Sequence, residues 1–186
     1  MDRRFAASVI VVGAAFLIGS CGGNSTLDDT EAPVVLTVEI EEYGPDIPIC
    51  LQDFDVTIET MNIASSMKDP GASPSSNQDA IITRWVVTPV RTDGGTEASP
   101  QWSHDFSVLV PAGGEATLEN YRVYPAENFE VPPLSYLLPE NGGFDPETGN
   151  RNIRQSLRLQ IYGETVAGKA VATQPVLIPF NFFCGN

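Results

Sequence analysis

Beyond its first thirty or so residues this sequence predicts an all-β domain, an antiparallel sandwich of about seven strands. Three observations carry that prediction. Apolar residues recur with period two, proline and glycine cluster between the alternating runs, and no window sustains a helical stripe over three turns. Period two marks a half-buried strand, because successive side chains leave it on opposite faces.

The chain opens Met1-Asp2-Arg3-Arg4, runs apolar from Phe5 to Ile18, and continues Gly19-Ser20-Cys21-Gly22-Gly23. A basic start, a short apolar core and small residues at its end make the pattern of a secretory signal over residues 1–20. The apolar run falls short of the roughly 20 residues that a permanent helical span needs. Ile18-Gly19-Ser20-Cys21 resembles the lipobox of bacterial lipoproteins. The resemblance implies a diacylglycerol thioether on Cys21, cleavage between Ser20 and Cys21, and acylation of the new amine. Two or three acyl chains hold a protein stably where one holds only marginally. An ordinary signal peptide, or an uncleaved helix with Cys21 incidental, is the alternative. Gly22 rather than Asp after the cysteine favours the outer membrane in Gram-negative sorting. Residues 21–31 then read as the lipidated cysteine and a short polar tether, and residues 32–186 as the sandwich domain. Ten extended residues reach roughly 35 Å, so the tether keeps the domain near the membrane.

In chain order, Leu36, Val38 and Ile40 alternate with Thr37, Glu39 and Glu41, and Phe54, Val56 and Ile58 with Asp55, Thr57 and Glu59. In the next run Ile82, Val86 and Val90 share one face, and Ile81, Trp85 and Val87 the other. Phe106, Val108 and Val110 make a further strand, and Ala116 to Tyr124 another. Leu157, Leu159 and Ile161 alternate with Arg158 and Gln160, and Val176, Ile178, Phe180 and Phe182 close the series. Asp69-Pro70-Gly71, Asp93-Gly94-Gly95, Pro111-Ala112-Gly113-Gly114 and Val166-Ala167-Gly168-Lys169 are turn sequences. Gly71 to Asn77 is a polar, serine-rich loop, and Pro133 to Leu138 has room for one short helical turn. Pro175 and Pro179 lie on one side of the last strand, which predicts a sheet edge or pairing on its other side only.

Thr83-Arg84-Trp85-Val86-Val87 with Arg91-Thr92-Asp93-Gly94-Gly95 resembles the third strand and turn of an immunoglobulin-like or fibronectin-type-III-like domain. Leu157 to Glu164, through Ala167-Gly168-Lys169 into the last strand, resembles that fold's closing hairpin. The resemblance spans about residues 33–184 and implies an immunoglobulin-like antiparallel β-sandwich; as a whole the chain is similar to small bacterial envelope lipoproteins with no assigned activity. It departs from antibody-type domains in its cysteines, because Cys50 and Cys184 do not flank Trp85 at the usual spacing. The fold hosts many functions, so architecture alone carries over.

With Cys21 lipidated, Cys50 and Cys184 remain in an oxidising compartment, and an even count there predicts a disulfide; two free thiols are the alternative. Closing a loop of about 134 residues, it would stabilise by roughly 5 kcal/mol on chain-entropy scaling. Cleavage takes away Asp2, Arg3 and Arg4, so the net charge of −14 becomes −15. Nucleic acid is excluded as a partner by phosphate neutralisation, which needs basic patches. An anionic lipid surface repels such a domain, which leaves the covalent lipid as the membrane attachment.

His104, the single histidine, lies in Ser103-His104-Asp105, but neighbours on a strand point to opposite faces and make no triad. The sequence has no Gly-rich phosphate loop, nucleophile elbow or metal-spaced cysteine–histidine set. A carboxylate pair for glycoside chemistry is not legible from spacing, since such pairs meet only in three dimensions. The oxygen-rich loop Glu140 to Asn150 offers Glu140, Asp145 and Glu147 to a calcium ion, but without the register of an EF-hand; plain turn chemistry accounts for it equally. Tyr124 to Arg151 is the longest stretch without strand alternation, and it carries Phe129, Pro132, Pro133, Leu134 and Tyr136. Such a loop either packs over an open end of the sandwich or recognises a partner. The expectation is a non-enzymatic accessory or protein-binding module of the envelope, with no cofactor and with an envelope protein or polysaccharide as partner. A carbohydrate- or calcium-binding surface module is the alternative, the former requiring Trp85, Trp102 or loop tyrosines on an exposed face.

Overall fold

A computed structural model describes residues 31–51 and 55–185. Cys21, the signal segment and Phe54 lie outside the described residues, as does all but the last residue of the expected tether. Among the described residues there are nine strands and no α-helix. The strands are β1 (Val34–Tyr43), β2 (Asp46–Pro48), β3 (Val56–Met67), β4 (Ala80–Arg91), β5 (Trp102–Val110), β6 (Glu115–Tyr124), β7 (Asn152–Thr165), β8 (Ala170–Ala172) and β9 (Val176–Phe183). Seven are the long strands that alternation marks. The two extra ones, β2 and β8, are three residues each, too short to show a period.

The strands form two sheets. The small sheet has the order β1-β3-β6, and the large sheet β2-β9-β7-β4-β5 with β8 beside β7. All pairings are antiparallel except β2 with β9. A parallel bridge from Leu36 to Thr173 joins β1 to the chain just after β8, tying the sheets at one corner. The inner faces meet in one core that includes Leu36, Ile58, Met61, Ile63, Ile82, Trp85, Leu157, Ile161 and Phe182, each essentially without solvent contact. Fully burying an aliphatic side chain of this size is worth about 1.5–3 kcal/mol, so this interleaved set is what holds the sheets together.

One face assignment is overturned. Ile82 shares the core face with Trp85 and Val87, whereas Val86 and Val90 point outward. The reason is a β-bulge at Thr83, where the register slips between Ile82 and Arg84 in the pairings with both β5 and β7. An extra residue shifts every later side chain to the opposite face. Gly163 lies against this bulge: a Cβ on it would come within 2.2 Å of the Ile81 carbonyl oxygen, a separation no side chain tolerates. The final strand is not the sheet edge its prolines predict, because β2 pairs beyond it, but the stretch that carries Pro179 is paired on one side only. β9 pairs with β7 along its whole length, and on its other side only Asn181, Phe182 and Phe183 are paired, to β2.

Candidate functional site

Four regions bear on function. The first is the disulfide end. Cys50 and Cys184 are bonded, with Cα atoms 4.9 Å apart. The preceding Ile49 N–H donates to the Phe183 carbonyl at 2.9 Å, so the bridge continues the β2–β9 pairing and joins the C-terminal strand to the start of the domain.

The second is the stretch between β6 and β7. It is not an extended loop but a string of three short 3-10 turns, Ala126–Glu130, Leu134–Leu137 and Pro139–Asn141. Phe129 and Leu134 are buried, Phe129 within 6.1 Å of the Phe182 ring, and Leu137 joins them in the core. Pro133 is buried behind a cis Pro132-Pro133 bond, Tyr136 is half-buried, and Pro132 is exposed. The segment therefore spends most of its apolar residues on closing one end of the sandwich. The apolar residues it leaves to solvent are Val131, Pro132, Pro139, Phe144 and Pro146. It also encloses the disulfide, with a cleft on either side: one lined by Cys50 and Phe129, the other by Leu137, Phe144 and Cys184.

The third region is an ion-pair latch that sequence reasoning missed. The Arg91 guanidinium, nearly without solvent contact, donates through Nε to Asp93 at 2.8 Å, through Nη2 to Asp145 at 2.7 Å and through Nη1 to the Glu97 carbonyl at 3.0 Å. Glu147 accepts the backbone N–H groups of Thr96 and Glu97 and the Thr96 hydroxyl. Gly95 lets the guanidinium pass, since a Cβ there would lie 2.2 Å from Arg91 Nη2. Burial pushes the Asp145 carboxyl up, but the Thr148 hydroxyl, Arg91 and the Glu147 N–H outweigh it and hold it below the usual carboxylate range. Asp93 is likewise raised by burial and brought down further by Arg91 and the Arg154 and Gly95 N–H groups. Two of the three carboxylates considered for calcium, Asp145 and Glu147, thus face a guanidinium and backbone donors, while Glu140 is exposed. Among the described residues no three His, Cys, Asp or Glu side chains are grouped to hold a metal ion. A nearby buried amide completes the loop's attachment: Gln155 accepts from the Ser99 N–H at 3.1 Å and donates to its hydroxyl at 2.7 Å.

The fourth is the outer face of the large sheet. Where the bulge widens β4, an open groove of about 600 Å³ forms between β5 and β7, lined by Thr83, Arg84, Val86, Gln101, Asp105 and Tyr162 over Gly163. Arg84 Nε meets Asp105 at 2.9 Å, both well exposed. Alternation along β7 did place Arg158 and Gln160 outward; the groove beside them was hidden because it depends on the bulge.

The aromatic candidates lie elsewhere. Trp85 is fully buried, against Tyr121 at 4.7 Å and Phe106 at 5.9 Å, and so has no exposed face to offer a sugar. Trp102 is half-buried with the Arg122 guanidinium over its ring, and stacks on His104. His104 faces inward while Ser103 and Asp105 face solvent, so the three do not converge. Among the described residues no helix is long and apolar enough to cross a membrane. No protein-family model, curated protein or solved structure matches the chain.

Proposed function

We propose that this chain is a lipoprotein of the bacterial cell envelope, held at the outer membrane by lipid on Cys21 and presenting its β-domain as a non-enzymatic accessory module. The observation that carries the reading is the run Arg3-Arg4, Phe5 to Ile18, then Ile18-Gly19-Ser20-Cys21, in which basic start, apolar length and lipobox all agree. The Cys50–Cys184 bond is in keeping with export, because disulfides persist in oxidising compartments. The immunoglobulin-like or fibronectin-type-III-like architecture is supported by strand order. Counting long strands only, the first, second and fifth pair in one sheet (β1, β3, β6), and the fourth, third, sixth and seventh in the other (β5, β4, β7, β9).

Fractionation tests the anchor. The full chain expressed in a Gram-negative host should pellet with membranes and incorporate labelled palmitate. Cys21→Ala should incorporate none and should leave the lipid-modified fraction; acyl label on the variant, or its absence from the unaltered chain, would falsify the reading.

A further inference from the structure

We propose that the outer face of the large sheet binds an acidic polysaccharide, laid along β7 from Arg154 past Arg158 to the groove at Tyr162. This deepens the accessory-module reading by naming the partner's chemistry, and it rests on that reading but not on the lipid.

The first observation is charge. The chain has 24 acidic and 10 basic residues, so an arginine with no acidic neighbour is unexpected. Arg154 and Arg158 are both exposed, and among the described residues neither guanidinium makes an ion pair, although the Arg154 backbone N–H donates to Asp93 at 2.8 Å. They face outward from one strand four residues apart, about 13 Å along it. The carboxylate at the groove, Asp105, is already matched by Arg84. The outer side of the small sheet carries Glu39, Glu41, Glu115 and Glu119, whereas the outer side of the large sheet sets Arg84, Arg154 and Arg158 against Asp105 and Glu164, the latter beyond Tyr162 at the end of the row. Fields are screened within about 8 Å at physiological salt, so a polyanion approaching β7 responds to this face rather than to the net charge.

The second observation is the kind of contact this face can make. β4 and β7 are each paired on both sides, so their backbones have nothing to give an added peptide strand. Recognition there is by side chains alone. Guanidinium forks suit carboxylates. Ser156, which stands between the arginines, Thr88, which pairs with Arg158 on β4, and Gln160, the next outward residue beyond it, suit sugar hydroxyls. Tyr162, 37 % exposed at the end of the row, gives a ring on which the apolar face of a sugar can lie. Acid groups repeated along a hydroxyl-rich chain meet all three.

Affinity electrophoresis of the full chain, purified in detergent, tests this with polygalacturonate entrapped in a native gel and neutral dextran as control. Polygalacturonate should retard the protein and dextran should not, and added salt should weaken the retardation. The double variant Arg154→Ser, Arg158→Ser should bind at least tenfold more weakly and Tyr162→Ala severalfold more weakly, with melting temperatures unchanged. Absence of retardation, equal retardation by dextran, or a double variant that binds as tightly as the unaltered chain overturns the proposal. So does a concentration-dependent dimer in sedimentation that the same double variant abolishes, since a second copy would then cover the face. If Cys21→Ala keeps its acyl label while the arginine variants lose polygalacturonate, the lipid reading has failed and this one has not.

Discussion

Arg91 shows most clearly how single side chains hold this domain in shape. Its guanidinium neutralises two carboxylates, of Asp93 and Asp145, that have almost no access to water. Removing one partner of a buried ion pair leaves the other charged and unsolvated, at a cost of about 3–5 kcal/mol. Arg91→Leu should therefore lower the urea midpoint by an amount in that range, with the slope unchanged. The pH dependence has a definite sign. Asp93 and Asp145 titrate below the unfolded carboxyl value of about 3.9, so the stability they contribute is complete at neutral pH and disappears as pH falls through their folded values. The difference between Arg91→Leu and the unaltered protein should thus shrink in acid below about pH 4; a constant difference would mean that the latch does not govern these groups. Gly163 makes a different demand, for space. With the Ile81 carbonyl 2.2 Å from where a Cβ would sit, Gly163→Ala must displace the bulge, and about 1–3 kcal/mol of destabilisation is expected on urea unfolding.

Among the elements, the segment from Ala126 to Asn141 acts as part of the core. Phe129→Ala and Leu134→Ala should each cost about 2–5 kcal/mol in thermal or urea unfolding, as core truncations do. Val131→Ser, at an exposed position of the same segment, should stay within about 0.5 kcal/mol. Equal small effects from all three would return the segment to the class of recognition loops. The apolar composition of this stretch was legible, but not its destination, because turns of three to five residues are too short to display a period. The same limit explains β4. Alternation located the strand and its ends, yet it placed Ile82 on the wrong face, since nothing in Thr83-Arg84 announces a bulge. The inward set of β7, with Leu157, Leu159 and Ile161, was legible because that strand keeps its phase through the core. Asn120, in the left-handed region at φ 49° within β6, was likewise not distinguishable from its neighbours, although asparagine is one of the few residues that tolerate that conformation.

For the molecule as a whole, the two-sheet architecture, the turns and the Cys50–Cys184 pair were readable from alternation, punctuation and a cysteine count. The Arg91 latch and the groove were not, since each joins residues that the sequence separates by about fifty positions or more. The disulfide has a consequence for how the domain carries load. If it is pulled between a membrane tether at its N-terminus and its own last residues, the covalent path runs from residue 31 to Cys50, across the sulfurs to Cys184, and out. The chain enclosed between the two cysteines, which contains every strand of the large sheet except β2, is bypassed. The oxidised domain can then lengthen by no more than the reach of some twenty residues, about 70 Å, before tension falls on covalent bonds, whereas the reduced chain can pay out on the order of 500 Å. Single-molecule stretching with and without reductant should resolve these two lengths. Any grip on the outer face of β7 would share in the protection only as far as the bridge reaches, which makes Cys50–Cys184 a strain limiter for the terminal strands as well as a thermodynamic brace.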